Sequence, residues 1–144
     1  MKKYKLAVMG NPIAHSRSPI IHNFFAKAFE LEISYEKLLV PPGGFDEIVR
    51  SFIKKGGYGF NVTLPCKRDA WSLADRLSGS AAEAEAVNTV LIDDNGCLTG
   101  ENTDGIGLIK DIEVNLAKTI PSKKILVLGA GGAVSGVMKS LVDR

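Results

Sequence analysis

The sequence lacks the features that would place it in a membrane, on nucleic acid or in an oxidising compartment. Its 144 residues include only two cysteines, Cys66 and Cys97, whose spacing fits neither a disulfide framework nor a metal site. No apolar run approaches the roughly 20 residues of a membrane span, and the apolar run near the N-terminus is too short for a signal peptide. The net charge is only +2, without the excess of one sign typical of nucleic-acid or membrane-surface binding. These absences predict a reduced, cytoplasmic, soluble protein.

What the sequence does contain is a regular alternation of apolar β-rich runs and helical patterns. The composition is 45% hydrophobic, which is enough to build the core of one domain. Strands are expected over 4–10, 34–40 and 58–63, and helices are expected to begin at Pro19, near Phe45 and at Pro65. A βαβαβα order of this kind predicts an α/β fold with a mostly parallel, twisted sheet and helices on both faces.

A β-hairpin is predicted over residues 86–102, where two short β runs are joined by Asn95-Gly96. If these two residues form the whole loop, Asp94 pairs with Cys97, and Asn88 lies opposite Thr103. The hairpin adds an antiparallel strand to the sheet. A helix is expected to follow from about 104 to 117.

Polar side chains follow the predicted strands at the points where those strands end. In open α/β sheets, ligands bind beyond the carboxyl ends of parallel strands. Hydroxyl groups there suit a carboxylate, and amides suit ring hydroxyls, so the set favours a small polyhydroxylated acid as ligand. The residues in question are Asn11, Ser16, Ser18, Asn61, Thr63, Lys67, Asn88 and Asp104.

The segment "NVTLPCK" places Lys67 in the first turn of a helix, where the helix dipole disfavours a cation. The predicted hairpin brings Asn88 close to Asp104, and Lys67 follows a strand that ends at the same end of the sheet. Lys67 and Asp104 are therefore expected to form a proton-transfer pair. Two alternatives stay open. Lys67 fits a solvated surface position, and Thr103-Asp104 is good chemistry for a helix N-terminus without any catalysis.

Other polar residues have structural alternatives. Ser18 is expected to cap the helix that Pro19 begins, while Asn61 and Thr63 could simply satisfy backbone groups at a strand end. His15 and His22 have no second metal ligand at useful spacing, and we interpret them as loop and helix-surface residues. Cys66 is expected to be a somewhat reactive thiol, with no base placed to make it a nucleophile.

A glycine-rich turn, "GAGGA" at 129–133, follows a predicted strand at 125–128 and opens a helical pattern. Gly129, Gly131 and Ala133 match a form of the dinucleotide-binding fingerprint, in which helix N-terminal amides receive a pyrophosphate. The alternative is a plain tight turn. The acidic or basic residue that would support the fingerprint falls after the next strand, beyond Arg144.

Taken together, these motifs resemble the shikimate dehydrogenase family. The stretches that carry the resemblance occur in order along the chain: "GNPIAHSRSPIIHN", "NVTLPCK", "AVNTV", "GENTDGIG" and "LGAGGA". The resemblance implies a substrate-binding catalytic domain over 1–118, and the start of an NADP-binding Rossmann domain over 119–144. It also implies NADPH-dependent reduction of 3-dehydroshikimate to shikimate in aromatic amino-acid biosynthesis.

The resemblance also assigns roles to residues. Ser16 and Ser18 would hold the substrate carboxylate, with Thr63 close by. Lys67 would be the general acid/base. The ring hydroxyls would be bound by Asn61, Asn88 and Asp104, and the NADP pyrophosphate by Gly129, Ala130, Gly131, Gly132 and Ala133.

The sequence departs from the family in three ways. Gly79 occupies a place where an acidic residue often approaches the cofactor, so Gly79 is not assigned to the site. Cys66 stands where the family usually has an aromatic residue or histidine. Family members also continue through a complete nucleotide domain, so this chain is expected to be a fragment without activity of its own, whose last segment contacts a second copy. The alternatives are a quinate/shikimate dehydrogenase, a methylenetetrahydrofolate dehydrogenase and a non-catalytic shikimate-binding module.

Overall fold

The structure, a computed structural model, describes residues 3–144. Strands and helices alternate through most of the chain, and a π-helical turn, Asp111–Asn115, prolongs the fifth helix. The elements are, in chain order, β1 (Lys3–Gly10), α1 (Ser18–Ala28), β2 (Glu32–Leu39), α2 (Phe45–Lys54), β3 (Gly57–Val62), α3 (Lys67–Leu73), β4 (Arg76–Leu77), α4 (Gly79–Ala84), β5 (Thr89–Ile92), β6 (Leu98–Glu101), α5 (Asp104–Lys110) and α6 (Gly132–Val142).

The strands form one six-stranded sheet in the order β2-β1-β3-β5-β6-β4. The β1–β2, β1–β3 and β4–β6 pairs are parallel, whereas β5 is antiparallel to both of its neighbours. The predicted fold class, a mostly parallel sheet with one antiparallel strand from a hairpin, is therefore confirmed.

Helices cover both faces of the sheet. On one face, Phe45 and Phe52 of α2 make edge-to-face contacts with Phe60 of β3, and this cluster forms the centre of the hydrophobic core. Side chains alternate along a strand, so Asn61 points to the other face, where α1 lies. Helix α1 is only lightly packed, because Ala26 is its single buried residue and Phe24 remains 69% exposed.

Several predicted boundaries differ from those observed. Helix α3 begins at Lys67 instead of Pro65, because Pro65 lies in the turn before it and Cys66 is the N-cap residue. Strand β4 and helix α4 were not predicted. The hydroxyl oxygen of Ser78 caps α4 by accepting a hydrogen bond from the Ala81 amide at 3.2 Å. An N-cap serine before alanines was the available signal.

The predicted hairpin exists, but its register was wrong by one residue. Asp93, not Asp94, pairs with Cys97, and Val90 lies opposite Gly100. The loop therefore has three residues and places Gly96 at φ 80°, as in a type I turn followed by a left-handed residue. The Asp93 carboxylate stabilises this loop by accepting hydrogen bonds from the amides of Asn95 and Cys97, each at 2.9 Å.

The predicted strand at 125–128 was wrong, since these residues form no strand. A strand requires a hydrogen-bonded neighbour, and within the described chain none lies beside this segment; Leu126 and Leu128 are 83% and 84% exposed. The helix after it, α6, does form, and it packs against α4 and α5 of the same chain. Contact with a second copy stays a prediction.

The described helices also bear on membrane insertion. Between residues 3 and 144, no helix is both long enough and apolar enough to span a bilayer.

Candidate active site

The centre of the site is an ion pair between the first residues of two helices. Lys67 begins α3, the helix that follows β3, and Asp104 begins α5, the helix that follows β6. The Lys67 ammonium donates a hydrogen bond to Asp104 Oδ2, and both side chains are largely buried, with 14% and 27% of their area exposed. The structure therefore brings together the two members of the predicted proton-transfer pair. The surface-lysine alternative for Lys67 does not fit this burial.

Asn88 orients the carboxylate of this pair. Its Nδ2 donates to Asp104 Oδ1 at 2.8 Å and to Thr103 Oγ1 at 3.0 Å, while its Oδ1 accepts from the Thr103 amide at 3.1 Å. The two oxygens of Asp104 thus have separate partners, Asn88 on one and Lys67 on the other. The expected proximity of Asn88 to Asp104 is observed even though the hairpin register differs.

Asn102 holds the backbone of Asp104 and was missed in the sequence analysis. It is buried, its Oδ1 accepts from the Asp104 amide at 3.1 Å, and its Nδ2 donates to the Ala86 carbonyl at 2.9 Å. The available signal was an asparagine two residues before a helix start, where its side chain can bond the local backbone.

Asn61 joins this network from the end of β3. Its Nδ2 donates to Thr89 Oγ1 at 3.1 Å and, more weakly, to the Asn88 carbonyl at 3.4 Å. Thr89 in turn donates to Asn88 Oδ1 at 3.0 Å. The alternative role, satisfying backbone at a strand end, thus describes only part of what Asn61 does.

Thr63 and Asn11 differ in whether their side chains are used in hydrogen bonds within the protein. Within residues 3–144, the Thr63 hydroxyl has no hydrogen-bond partner, so it is free to bind a ligand. The Asn11 side chain is instead used structurally, because its Nδ2 donates to the Val40 carbonyl at 3.0 Å and ties together the ends of β1 and β2.

Ser16 and Ser18 form a pair of adjacent hydroxyls at the start of α1. Ser16 Oγ donates to Ser18 Oγ at 3.2 Å and accepts from the Ser18 amide at 3.3 Å. The expectation that Ser18 caps α1 was wrong: Arg17 is the N-cap residue, and no side chain makes the cap bond. The Ser18 hydroxyl accepts the hydrogen bond from Ser16 instead.

Tyr35 and His22 were both missed as site residues. Tyr35 Oη donates to Asn61 Oδ1 at 2.7 Å, and the His22 ring stacks on the Tyr35 ring with centroids 4.4 Å apart. Burial raises the pKa of Tyr35 to about 12. Burial lowers the pKa of His22. His22 is therefore not the surface residue that its helix position predicted.

Cys66 is not the reactive thiol that its position beside Lys67 predicted. Its side chain is 2% exposed and belongs to the hydrophobic core. Burial, and then the charge of Asp69, raise the pKa of the Cys66 thiol, which keeps it protonated near neutral pH.

The glycine-rich turn lies beside Lys67. Gly129 has φ 115°, Gly131 is the N-cap residue of α6, and no side chain caps this 11-residue helix. A Cβ atom on Gly132 would lie 3.5 Å from the Cβ of Lys67. The uncapped amides of α6 can therefore receive an anionic group close to the Lys67–Asp104 pair.

No group of three or more histidine, cysteine or acidic residues able to hold a metal occurs in the described part of the chain. The site contains hydroxyls, amides and the Lys67–Asp104 ion pair. These groups can bind a carboxylate and several hydroxyls, and can transfer one proton.

Comparison with known proteins gives this arrangement a family. Residues 8–90, more than half of the chain, match the family described as "Shikimate dehydrogenase substrate binding domain". The chain is 47% identical over 137 residues to shikimate dehydrogenase (NADP(+)) of Saccharophagus degradans, covering 95% of this chain and 49% of that protein. It is 50% identical over 139 residues to the protein of the same name from Cupriavidus necator, with 96% and 47% covered.

A solved structure agrees with these matches. Shikimate 5-dehydrogenase from Thermus thermophilus, in complex with NADP(H) and shikimate, has a TM-score of 0.87 at 36% identity, covering 97% of this chain and 52% of that one. The chain spans about half the length of the curated relatives that it matches. Most of the residues that converge at the strand ends lie inside the matched segment, and the chain belongs to the shikimate dehydrogenase substrate-binding domain family.

Proposed function

We propose that this chain provides the substrate-binding and proton-transfer part of an NADP-dependent shikimate dehydrogenase, which reduces 3-dehydroshikimate to shikimate. The observation that carries the proposal is the buried Lys67–Asp104 ion pair, oriented by Asn88, at the strand ends of a shikimate dehydrogenase substrate domain. The relatives support it, since they bear the name of this enzyme and one solved neighbour contains shikimate and NADP(H).

The proposed ligand contacts divide by chemistry. Ser16, Ser18 and Thr63 offer hydroxyl donors, which bind a carboxylate without the cost of pairing two buried charges. Asn61, Asn88 and Asp104 offer amide and carboxylate groups, which suit the ring hydroxyls of shikimate. The ligand would then lie with its carboxylate toward α1 and its reacting carbon toward Lys67.

The reaction needs a hydride and a proton, which together turn a ketone into an alcohol. NADPH, when bound, supplies the hydride to the keto carbon. Lys67 donates a proton from Nζ to the keto oxygen as negative charge develops there. Asp104 holds the ammonium in place by accepting its hydrogen bond, and Asn88 prevents the carboxylate from turning away.

We assign cofactor binding to the turn from Gly129 to Ala133, comprising Gly129, Ala130, Gly131, Gly132 and Ala133. Nothing lies within 4 Å of a Cβ atom placed on Gly131, which leaves room for a pyrophosphate beside the uncapped amides of α6. In this proposal, residues 1–118 form the substrate-binding catalytic domain and 119–144 begin a Rossmann domain that binds NADP.

The proposal extends to the cellular location of the protein and to its contact with a second copy. We infer that the protein works in the cytoplasm, which the two unpaired cysteines, Cys66 and Cys97, support. We also infer that residues 124–144 contact a second copy of the chain, because Leu126 and Leu128 are exposed. Sedimentation velocity tests this: a dimer supports the contact, and a monomer over the micromolar range contradicts it.

Shikimate binding to the purified chain, measured by isothermal titration calorimetry, tests the proposed function. We expect the wild type to bind shikimate, and Asp104→Asn to bind at least about tenfold more weakly because it loses a charged hydrogen-bonding group. Asp111→Asn, the same change on an exposed residue after α5, is the matched control. Wild-type protein that does not bind shikimate would contradict the proposal, and tighter binding of quinate would favour the quinate/shikimate alternative.

A further inference from the structure

Tyr35 has an unusual position for a residue on an edge strand. It is paired with Leu6 of β1, while Asn61 of β3 is paired with Val8, so Tyr35 and Asn61 lie on the same face, on strands that flank β1. Its side chain therefore crosses β1, a span of two strand spacings of about 4.8 Å each. The hydroxyl at its end reaches Asn61 Oδ1 at 2.7 Å.

This hydrogen bond distinguishes the two ends of the Asn61 amide. Because the Tyr35 hydroxyl donates to Oδ1, the Nδ2 group is directed away from Tyr35, toward Thr89 Oγ1 and the Asn88 carbonyl. The bond to the Asn88 carbonyl is long, at 3.4 Å, so Tyr35 makes the shortest contact that selects this orientation. Without its hydroxyl, the amide would be held mainly by Thr89, which can donate or accept.

Asn61 is hydrogen-bonded to the groups around Asp104. Thr89 receives a hydrogen bond from Asn61 and donates its own to Asn88 Oδ1. The Thr103 amide donates to the same oxygen at 3.1 Å and fixes the orientation of Asn88 independently. Of the two amides, Asn61 is therefore the one whose orientation depends on Tyr35.

Tyr35 is also well held itself. The His22 ring stacks on its ring, nearly parallel at 16°. The pKa of Tyr35, raised to about 12 by burial, keeps its hydroxyl a donor at physiological pH.

We propose that Tyr35 is a positioning residue for the substrate site: its hydroxyl sets the orientation of the Asn61 amide, which is one of the proposed contacts to the ring hydroxyls of the substrate. The inference rests on the proposed function, because the site it serves is the proposed shikimate site. Tyr35 does not itself act on the reacting atoms in this account.

The test combines Tyr35→Phe, Asn61→Ala and the double variant, with shikimate affinity measured by calorimetry on the whole chain. Tyr35→Phe keeps the ring that His22 stacks on and removes only the hydroxyl. We expect it to weaken shikimate binding by about tenfold, the scale of one hydrogen bond whose loss leaves a partner unsatisfied. Because Tyr35 acts through Asn61, Tyr35→Phe should change affinity by less than about twofold in the Asn61→Ala background.

Tyr58→Phe is the matched control, since it removes the same atom near the other end of β3, and we expect it to leave shikimate affinity unchanged. A second readout needs no ligand: the Asn61 side-chain amide resonances should shift in ligand-free Tyr35→Phe and remain in place in Tyr58→Phe. Unchanged affinity and resonances in Tyr35→Phe, or full additivity with Asn61→Ala, would overturn the inference alone. Absence of shikimate binding by the wild type would overturn the proposed function and the inference together.

Discussion

At the scale of single residues, Lys67 owes its chemistry to the two elements that meet around it. It is the first residue of α3, beyond the carboxyl end of β3, and its side chain contacts Asp104, the first residue of α5. A lysine elsewhere on the surface would be solvated and free to rotate. Burial against one carboxylate instead fixes its Nζ at a single point, as proton transfer requires.

Removing this amine should separate proton transfer from binding. In an active dehydrogenase carrying this domain, Lys67→Ala should lower kcat by about 10²–10⁴, the usual contribution of a general acid, with a smaller change in KM. NADPH oxidation with 3-dehydroshikimate measures both, and Lys54→Ala, an exposed lysine at the end of α2, is the control. Near-normal turnover of Lys67→Ala would reduce Lys67 to a surface or positioning residue.

Cys66 and Cys97 should differ sharply in reactivity. The Cys66 thiol is buried and its pKa is raised, whereas Cys97 lies partly exposed in the hairpin. Titration with a thiol-specific reagent near pH 7 should therefore modify one thiol in the folded protein and both after denaturation. Cys97→Ser should abolish the fast reaction. A fast reaction that persists in Cys97→Ser would mean that Cys66 is accessible.

At the scale of elements, α6 packs close enough to the site to influence it. A Cβ atom on Gly136 would lie 2.8 Å from the side-chain atoms of Asn102 and 3.0 Å from Asp104 Oδ2. Only a glycine allows the helix to approach this closely. The glycines of the C-terminal segment therefore serve packing around Asp104 as well as the proposed cofactor turn.

Gly136→Ala should consequently destabilise the chain. The added methyl group must displace Asn102, Asp104 or the whole helix, and we expect a loss of about 1–3 kcal/mol in the free energy of unfolding. Gly107→Ala on α5 is the matched control, because nothing lies within 4 Å of a Cβ atom there; it should be neutral or stabilise by up to about 1 kcal/mol. Urea denaturation measures both, and equal stability of Gly136→Ala and wild type would contradict the close packing.

The elements also show what a sequence can predict and what it cannot. The first three strands and the starts of α1, α2 and α5 follow from local periodicity and turn residues, and they were predicted to within a few residues. The hairpin register depended on Asp93, whose side chain stabilises a three-residue loop. The Asn95-Gly96 pair alone predicts a two-residue loop. The strand predicted at 125–128 failed because a strand depends on a neighbour, which local sequence does not contain.

At the scale of the whole molecule, the site forms because one edge of the sheet collects residues that are far apart in sequence. Parallel strands end at the same edge, which is why Asn61, Lys67, Asn88 and Asp104 could be grouped from the sequence alone. Tyr35 could not be predicted in this way. It lies in the middle of β2, and its role depends on how far its side chain extends across β1.

A crystal structure of the chain with shikimate bound would test the proposed substrate contacts directly. We expect one molecule at the carboxyl ends of the strands, with its carboxylate on Ser16, Ser18 and Thr63 and a ring hydroxyl within hydrogen-bond reach of Lys67 Nζ. Shikimate bound elsewhere, or held at this edge with its carboxylate on Lys67 instead of the serines, would contradict the account.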